Sequence, residues 1–170
     1  KIVSEIPVLD GCVNNAGIAK PLLTQFITKA SLDEVFSINA LAPILLTHEI
    51  AKRKKIARGG SIVFISSISG TACSYIGGSI YSASKSAING FIKGAALDLS
   101  ARYIRLNSIS PGMIETNILN EGQISKEQLE EDKKRYPLKR YGKPEEVAYA
   151  IIYLLSDASK WMTGSNIVID

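Results

Sequence analysis

Four short apolar runs alternate with longer stretches of helical periodicity. PVLDGCV (residues 7–13), SIVFIS (61–66), RLNSIS (105–110) and SNIVID (165–170) read as strands, each ending at turn residues or at the close of the sequence. Between them, residues 31–55, 81–103 and 144–156 have the length and apolar spacing of crossover helices. Such alternation predicts parallel βαβ units with helices on the faces of a sheet. The strands are nearly continuous in apolar character, as strands buried on both faces are. The predicted fold class is α/β.

Local signals refine this outline. Ser31 with Glu34 three residues on has capping-box spacing and predicts a helix start at Ser31. Pro144 followed by Glu145 and Glu146 suits a first helical turn, with the acids at the positive end of the helix dipole. Residues 120–142 are densely charged in both signs and predict a flap between the third strand and the last helix, with a substrate-setting part at 117–136. A first strand that is apolar on both faces would leave an exposed edge. The expectation is therefore one domain over residues 1–170, incomplete ahead of Lys1 and beyond Asp170.

Composition narrows the class further. The 170 residues are 46% hydrophobic and 21% charged, a globular balance that argues against disorder. Apolar runs such as YAIIYLL (149–155) are shorter than the ~20 residues of a membrane helix, and no secretory signal pattern opens the sequence. The net charge is +4 and the densest basic run is KRKKIAR (52–58). Without interleaved aromatics it reads as a solvated helix C-terminus, so neither a nucleic-acid nor a membrane partner is expected. Cys12, Cys73 and the single His48 lack metal-ligand spacing, so no metal site is expected. Two free thiols suit the reducing cytoplasm.

The candidate chemistry centres on Tyr81 and Lys85, four apart in a helical stretch and so on one face. A tyrosine titrates near ~10 when unperturbed, and a neighbouring ammonium is expected to bring it toward a working acid/base. Ser82, Ala83 and Ser84 between them leave room for a ligand. Ser67 stands at the C-terminal end of the second strand, where ligands bind in open parallel sheets and a hydroxyl can donate to a carbonyl oxygen. NNAG (14–17) follows the first strand and SISPGMIET (108–116) runs out of the third. These three loops should converge on one crevice.

NNAG, a serine at the end of the next strand, Y-x-x-x-K and PG-x-x-x-T, in that order, resemble the short-chain dehydrogenase/reductase family. PLKRYGKPEEVA (137–148) and SKWMTGSNIVID (159–170) resemble its C-terminal part, in the branch of the 3-oxoacyl-carrier-protein reductases. The resemblance implies a three-layer αβα Rossmann-like parallel sheet, the C-terminal part of a doubly wound NAD(P)-binding domain. It implies ketone–alcohol interconversion with NAD or NADP, NADPH being favoured for a reductase. Tyr81 would be the acid/base, Lys85 would tune it and hold the nicotinamide ribose, Ser67 would bind the substrate oxygen, and Asn39 would support a water relay. Asn14, Ala16 and Gly17 would border the adenosine side of the cofactor. Pro111, Gly112, Ile114 and Thr116 would hold its nicotinamide end. A homodimer or tetramer through the helices at 31–55 and 81–103 is implied, with which the apolar Ile88 and Phe91 are compatible, as they equally are with core packing. An acyl-carrier protein is a further implied partner, for which Arg58 and Arg102 are candidate contacts, the other reading being two ordinary solvated arginines.

Three departures stand beside the resemblance. The family's T-G-x-x-x-G-x-G phosphate loop is absent, and GFIKGAA (90–96), which mimics its spacing, lies within a predicted helix, where close helix packing explains it. The loop from Gly70 to Tyr81 is one residue longer than in common members. The usual glycines after the final strand are missing. These departures leave a second reading open, a truncated and catalytically inactive piece serving as a structural or interaction module.

Overall fold

The computed structural model describes residues 2–116 and 126–170. In it, β1 (Leu9–Asn14), β2 (Ile56–Ile65), β3 (Arg105–Pro111) and β4 (Asn166–Ile169) form a parallel sheet in the order β1-β2-β3-β4. The helices are α1 (Ile2–Glu5), α2 (Lys29–Phe36), α3 (Ala42–Lys52), α4 (Ser79–Asp98), α5 (Lys126–Lys133) and α6 (Pro144–Leu155). A π-helical turn, Ser37–Leu41, joins α2 to α3 without a break.

Alternation along the strands sends side chains to two cores, one on each face of the sheet. Ile62 and Phe64 of β2 and Leu106 of β3 pack with Ile88, Ile92, Ala95 and Ala96 of α4 and with Ala40 and Ile50. Val63 and Ile109 face the other way, onto Leu154, Val147 and Ile151 of α6. Every residue of β3 is buried, the pattern expected of a strand covered on both faces. Truncating a residue such as Ile62 or Ile109 to alanine would cost on the order of 2–5 kcal/mol.

The elements differ from the sequence expectation in instructive ways. The first helix is capped by Thr28, not Ser31. Thr28 Oγ1 accepts from the Ser31 N–H at 3.1 Å, and Ser31 Oγ accepts from the Thr28 N–H at 3.0 Å, so the box closes one turn early. The helix stops at Lys52, and Lys54 takes a left-handed φ of 54°. The basic run therefore divides between a helix end and the start of β2, which begins at Ile56 rather than residue 61. Ile88 and Phe91 turn inward: Ile88 is core, and Phe91 makes an edge contact to Phe64 at 6.1 Å. Outward on α4 stand Gly90 and Gly94, where an added Cβ would meet nothing within 4 Å, and the exposed Leu97.

Taken as one rod, Lys29–Lys52 is long and apolar enough by composition to cross a membrane. Its Val35, Asn39, Ala40, Thr47 and Ile50 are buried, and it packs on β2 and α4, as a core helix does. Arg58 donates to the Ala101 carbonyl and stacks on Tyr103 at 4.4 Å, and Arg102 donates to the Ile56 carbonyl. Both arginines thus serve the N-terminal ends of the strands, opposite the edge where Ser67 lies.

Candidate active site

Parallel strands deliver their following loops to one edge, and here that edge collects the chemistry. β2 and β3 keep register to their ends, where the Ser66 N–H donates to the Ile109 carbonyl at 2.7 Å. Ser67 and the Pro111–Gly112 turn therefore lie side by side. Gly112 is tied to β4 through its N–H on the Ile169 carbonyl at 2.8 Å.

The residues on either side of Ser67 are held against α4 by several contacts. Ser66 Oγ donates to the Lys85 carbonyl, and Ser86 Oγ and Asn89 Nδ2 both donate to the Gly70 carbonyl. A Cβ on Gly70 would come within 2.7 Å of the Lys85 Cβ and 2.8 Å of its carbonyl carbon, so only glycine allows this approach. The result is that the Ser67 hydroxyl comes near enough to Tyr81 to act on its phenol. Burial raises the Tyr81 phenol above its ordinary value, and Ser67 opposes that rise.

Lys85 is almost wholly buried, and its Nζ donates to the Ile65 carbonyl at 2.9 Å. Burial pushes its pKa down to about 8. Its Nζ lies 5.7 Å from the centre of the Tyr81 ring. The phenol is thus raised where lowering by Lys85 was expected: in this arrangement burial outweighs the neighbouring amine, and Ser67 supplies the contact that opposes the rise.

Asn39 sits 2% exposed in the π-helical turn with its amide fully used. It accepts from the Ile18 N–H at 2.8 Å and donates to the Ile18 carbonyl at 2.9 Å and to Ser84 Oγ at 3.0 Å. Ser84 in turn donates to the Tyr81 carbonyl. The loop after NNAG is thereby tied to the helix of Tyr81 and Lys85. Gly17 completes the cluster, since a Cβ there would stand 3.0 Å from Lys85 Nζ and 3.4 Å from Asn39 Oδ1. Ile18 is a part of this site that the motif pattern did not single out, and Ser84, expected to leave room for a ligand, is instead wholly buried against Asn39. Ser84 carried a signal in being a polar residue on the inward face of α4, one position before Lys85.

The remaining expected residues are distributed along the same edge. Asn14 ends β1, and its Nδ2 is buried without a partner among the described residues, while Ala16 is exposed. Ile114 pairs with Gly142 through Met113 and Glu115, whose carbonyl and N–H make the two bonds. Its own amide therefore faces away from Gly142. Thr116 is exposed, at the end of the described segment. The expected flap, 117–136, lies in part outside the described residues. Its described portion includes α5, attached to the body by Tyr141 Oη donating to Asp132 at 2.9 Å and by Lys133 to Glu115 at 3.4 Å. Among the described residues no cluster of His, Cys, Asp or Glu could hold a metal ion.

A parallel sheet between helical layers makes this a Rossmann-like fold, with Ser67, Tyr81 and Lys85 gathered at its C-terminal edge and an asparagine clamp behind them as the candidate site. A family model described as enoyl-(acyl carrier protein) reductase matches residues 1–170. The 3-oxoacyl-[acyl-carrier-protein] reductase FabG of Thermotoga maritima is 36% identical over 170 residues, all of this chain and 68% of that protein. Among solved structures, 4-hydroxyisoleucine dehydrogenase complexed with NADH superposes with a TM-score of 0.82 at 35% identity, over 96% of this chain and 68% of that one. BdcA in complex with NADPH gives 0.88 at 32%, over 99% and 67%. The chain belongs to the short-chain dehydrogenase/reductase family and is similar to its 3-oxoacyl-carrier-protein reductases. It spans about two thirds of the length of these relatives.

Proposed function

We propose that the protein to which this chain belongs is a soluble, cytoplasmic NAD(P)-dependent oxidoreductase that interconverts a ketone and a secondary alcohol. The observation that carries this reading is the gathering of Ser67, Tyr81 and Lys85 at one strand edge, with the Ser67 hydroxyl near the Tyr81 phenol and the Lys85 amine 5.7 Å from its ring centre. Two such hydroxyls can grip one substrate oxygen. Tyr81 gives its proton to that oxygen as the carbonyl becomes an alcohol, and takes it back in the reverse direction. Ser67 donates to the same oxygen while it carries negative charge. Lys85, cationic below a pH of about 8, favours the phenolate left on Tyr81 after the transfer. Asn39 keeps the Lys85 helix and the Gly17 turn in register.

The residues at this edge fit a dinucleotide. Asn14 has a buried amide without a partner among the described residues, Gly17 leaves space beside the Lys85 amine, and the Ile114 amide faces away from its ladder. Asn14, Ala16 and Gly17 would hold the adenosine side, and Lys85, Pro111, Gly112, Ile114 and Thr116 the nicotinamide side. The bound nicotinamide supplies the hydride. Relatives in complex with NADH and with NADPH support either dinucleotide, with NADPH favoured for a reductase.

A 3-oxoacyl thioester is the proposed substrate, on the likeness to the carrier-protein reductases. An acyl-carrier protein would have to dock elsewhere than Arg58 and Arg102, which are engaged at the opposite end of the strands. A homodimer or tetramer is proposed through the helices of 31–55 and 81–103. The exposed Leu32, Leu41, Leu45 and Leu97 and the open Gly90–Gly94 face of α4 support it.

The test is Tyr81→Phe in the natural full-length chain, assayed for reduction of acetoacetyl thioester with NADH and NADPH. Loss of at least about a hundredfold in kcat, with dinucleotide binding retained, is expected. Undiminished turnover would sink the mechanism. A chain that neither binds dinucleotide nor turns over would favour the interaction-module reading.

A further inference from the structure

Tyr81 has a neighbour that the reaction as described does not use. The ring of Tyr75 stands 6.4 Å from that of Tyr81, centroid to centroid, tilted by 47°. It is 44% exposed, so one part rests against Tyr81 and the other faces open space.

The placement is built rather than incidental. The Gly78 N–H donates to the Tyr75 carbonyl at 2.8 Å, closing a turn in which Gly77 takes a φ of +82°. Glycine suits that conformation and a side chain there would be strained. A Cβ on Gly78 would come within 2.9 Å of the Tyr75 ring, so the ring lies directly on the backbone that leads into α4. The loop is pinned on both sides of Tyr75. The hydroxyls of Ser74 and Ser82 are bonded at 2.8 Å, and the Leu22 N–H donates to the Gly77 carbonyl at 3.0 Å.

The two flanks of Tyr81 are chemically different. Lys85, 4% exposed, presents a cation to the ring from the protein side. Tyr75 presents an aromatic face on the open side. A substrate whose oxygen is held by Ser67 and Tyr81 would extend its substituent between these surfaces.

We infer that Tyr75 determines specificity: its ring is the platform on which the apolar or planar substituent of a carbonyl substrate rests while Ser67 and Tyr81 hold the oxygen. This rests on the ketone-reductase reading above. An acyl chain or aryl group gains contact with such a face, whereas a polyol would have to give up water from its hydroxyls against it. The preferred class is therefore ketones with an extended apolar or aromatic substituent, and small hydroxyketones are poor fits.

The experiment compares three substrates in the natural full-length chain, namely acetoacetyl-N-acetylcysteamine, acetophenone and dihydroxyacetone. Tyr75→Ala should raise KM for the first two by about tenfold or more, equivalent to roughly 1.4 kcal/mol, with kcat and the pH profile little changed. The KM for dihydroxyacetone should stay where it is. Tyr75→Phe, which keeps the ring, should behave as the parent with all three. An equal loss for all three substrates from Tyr75→Ala would overturn the inference. So would a displaced pH profile in Tyr75→Phe, which would mean that the hydroxyl shares in proton transfer. Persistence of activity in Tyr81→Phe would instead overturn the underlying reaction. An inactive Tyr81→Phe beside a silent Tyr75→Ala would remove Tyr75 alone.

Discussion

Lys85 donates a hydrogen bond to the backbone carbonyl of Ile65, at 2.9 Å, with its side chain almost wholly buried. A lysine in this position destabilises the fold it serves. Its pKa falls from 10.5 to about 8, so between those values the folded chain binds fewer protons than the unfolded one. Stability should therefore rise with pH across that window, and the cost of charging the buried amine should be present in full below it. Lys85→Met should accordingly stabilise the protein at pH 7, by ~1–3 kcal/mol after loss of the bond to Ile65. Its stability should no longer climb between pH 8 and 10. Denaturant unfolding of the two proteins at several pH values checks this, and a less stable Met variant at every pH would contradict it.

The same titration should appear in catalysis. The kcat/KM profile reports groups on the free enzyme. With Lys85 near 8, the cation that favours the Tyr81 phenolate is lost above that pH. Ketone reduction should then fall by about tenfold per unit as pH rises beyond it. In Lys85→Arg, which stays charged, that limb should move out of the accessible range, whatever the remaining rate.

Asn39 should tolerate little. Asn39→Ala strands the Ile18 N–H and carbonyl together, since both are satisfied by the one side chain. A loss of about 2–4 kcal/mol is expected. Asn39→Asp keeps the acceptor toward the Ile18 N–H but loses the donor to Ser84 and buries a charge, so it should be no better. Thermal melts rank the three proteins, and a parent-like Asn39→Ala would mean that the Ile18 loop is held from elsewhere.

Glu146 bears on behaviour in acid. Arg140 grips its carboxylate with two bonds of 2.7 Å, and the Lys143 N–H adds a third, which together hold its pKa at about 2. The folded value lies below the unfolded one. The contribution is thus present above pH ~4.5 and drains away as pH falls toward 2. Glu146→Gln should flatten the stability profile between those limits. An unchanged acid profile in the glutamine variant would show that the pair contributes nothing there.

Much of this could be read in the chain directly. Runs such as SIVFIS and RLNSIS can be stable only when covered on both faces, so a parallel sheet between helices follows from local composition. Tyr81 and Lys85 share a helix face by spacing alone, and Ser67 and Pro111–Gly112 follow strands that had to end at one edge. The start of the first helix was misplaced because Ser31 with Glu34 imitates a capping box that Thr28 and Ser31 actually form. Ile88 and Phe91 could not be told from outward residues, since the apolar spacing of α4 fits more than one face.

What the sequence alone determined was the class of fold and the strand edge at which the candidate groups gather, because these depend on periodicity and on residue type. Tertiary structure decided how those groups behave. Burial sets Lys85 near 8 and raises Tyr81, against the simple expectation that neighbouring charge would govern the pair. It also converts Asn39 from an isolated polar residue into the clamp between Ile18 and Ser84, and turns the glycines of the Gly70–Tyr81 loop into a seat for Tyr75. Desolvation and close approach are properties of neighbours distant in the chain, and no local pattern records them.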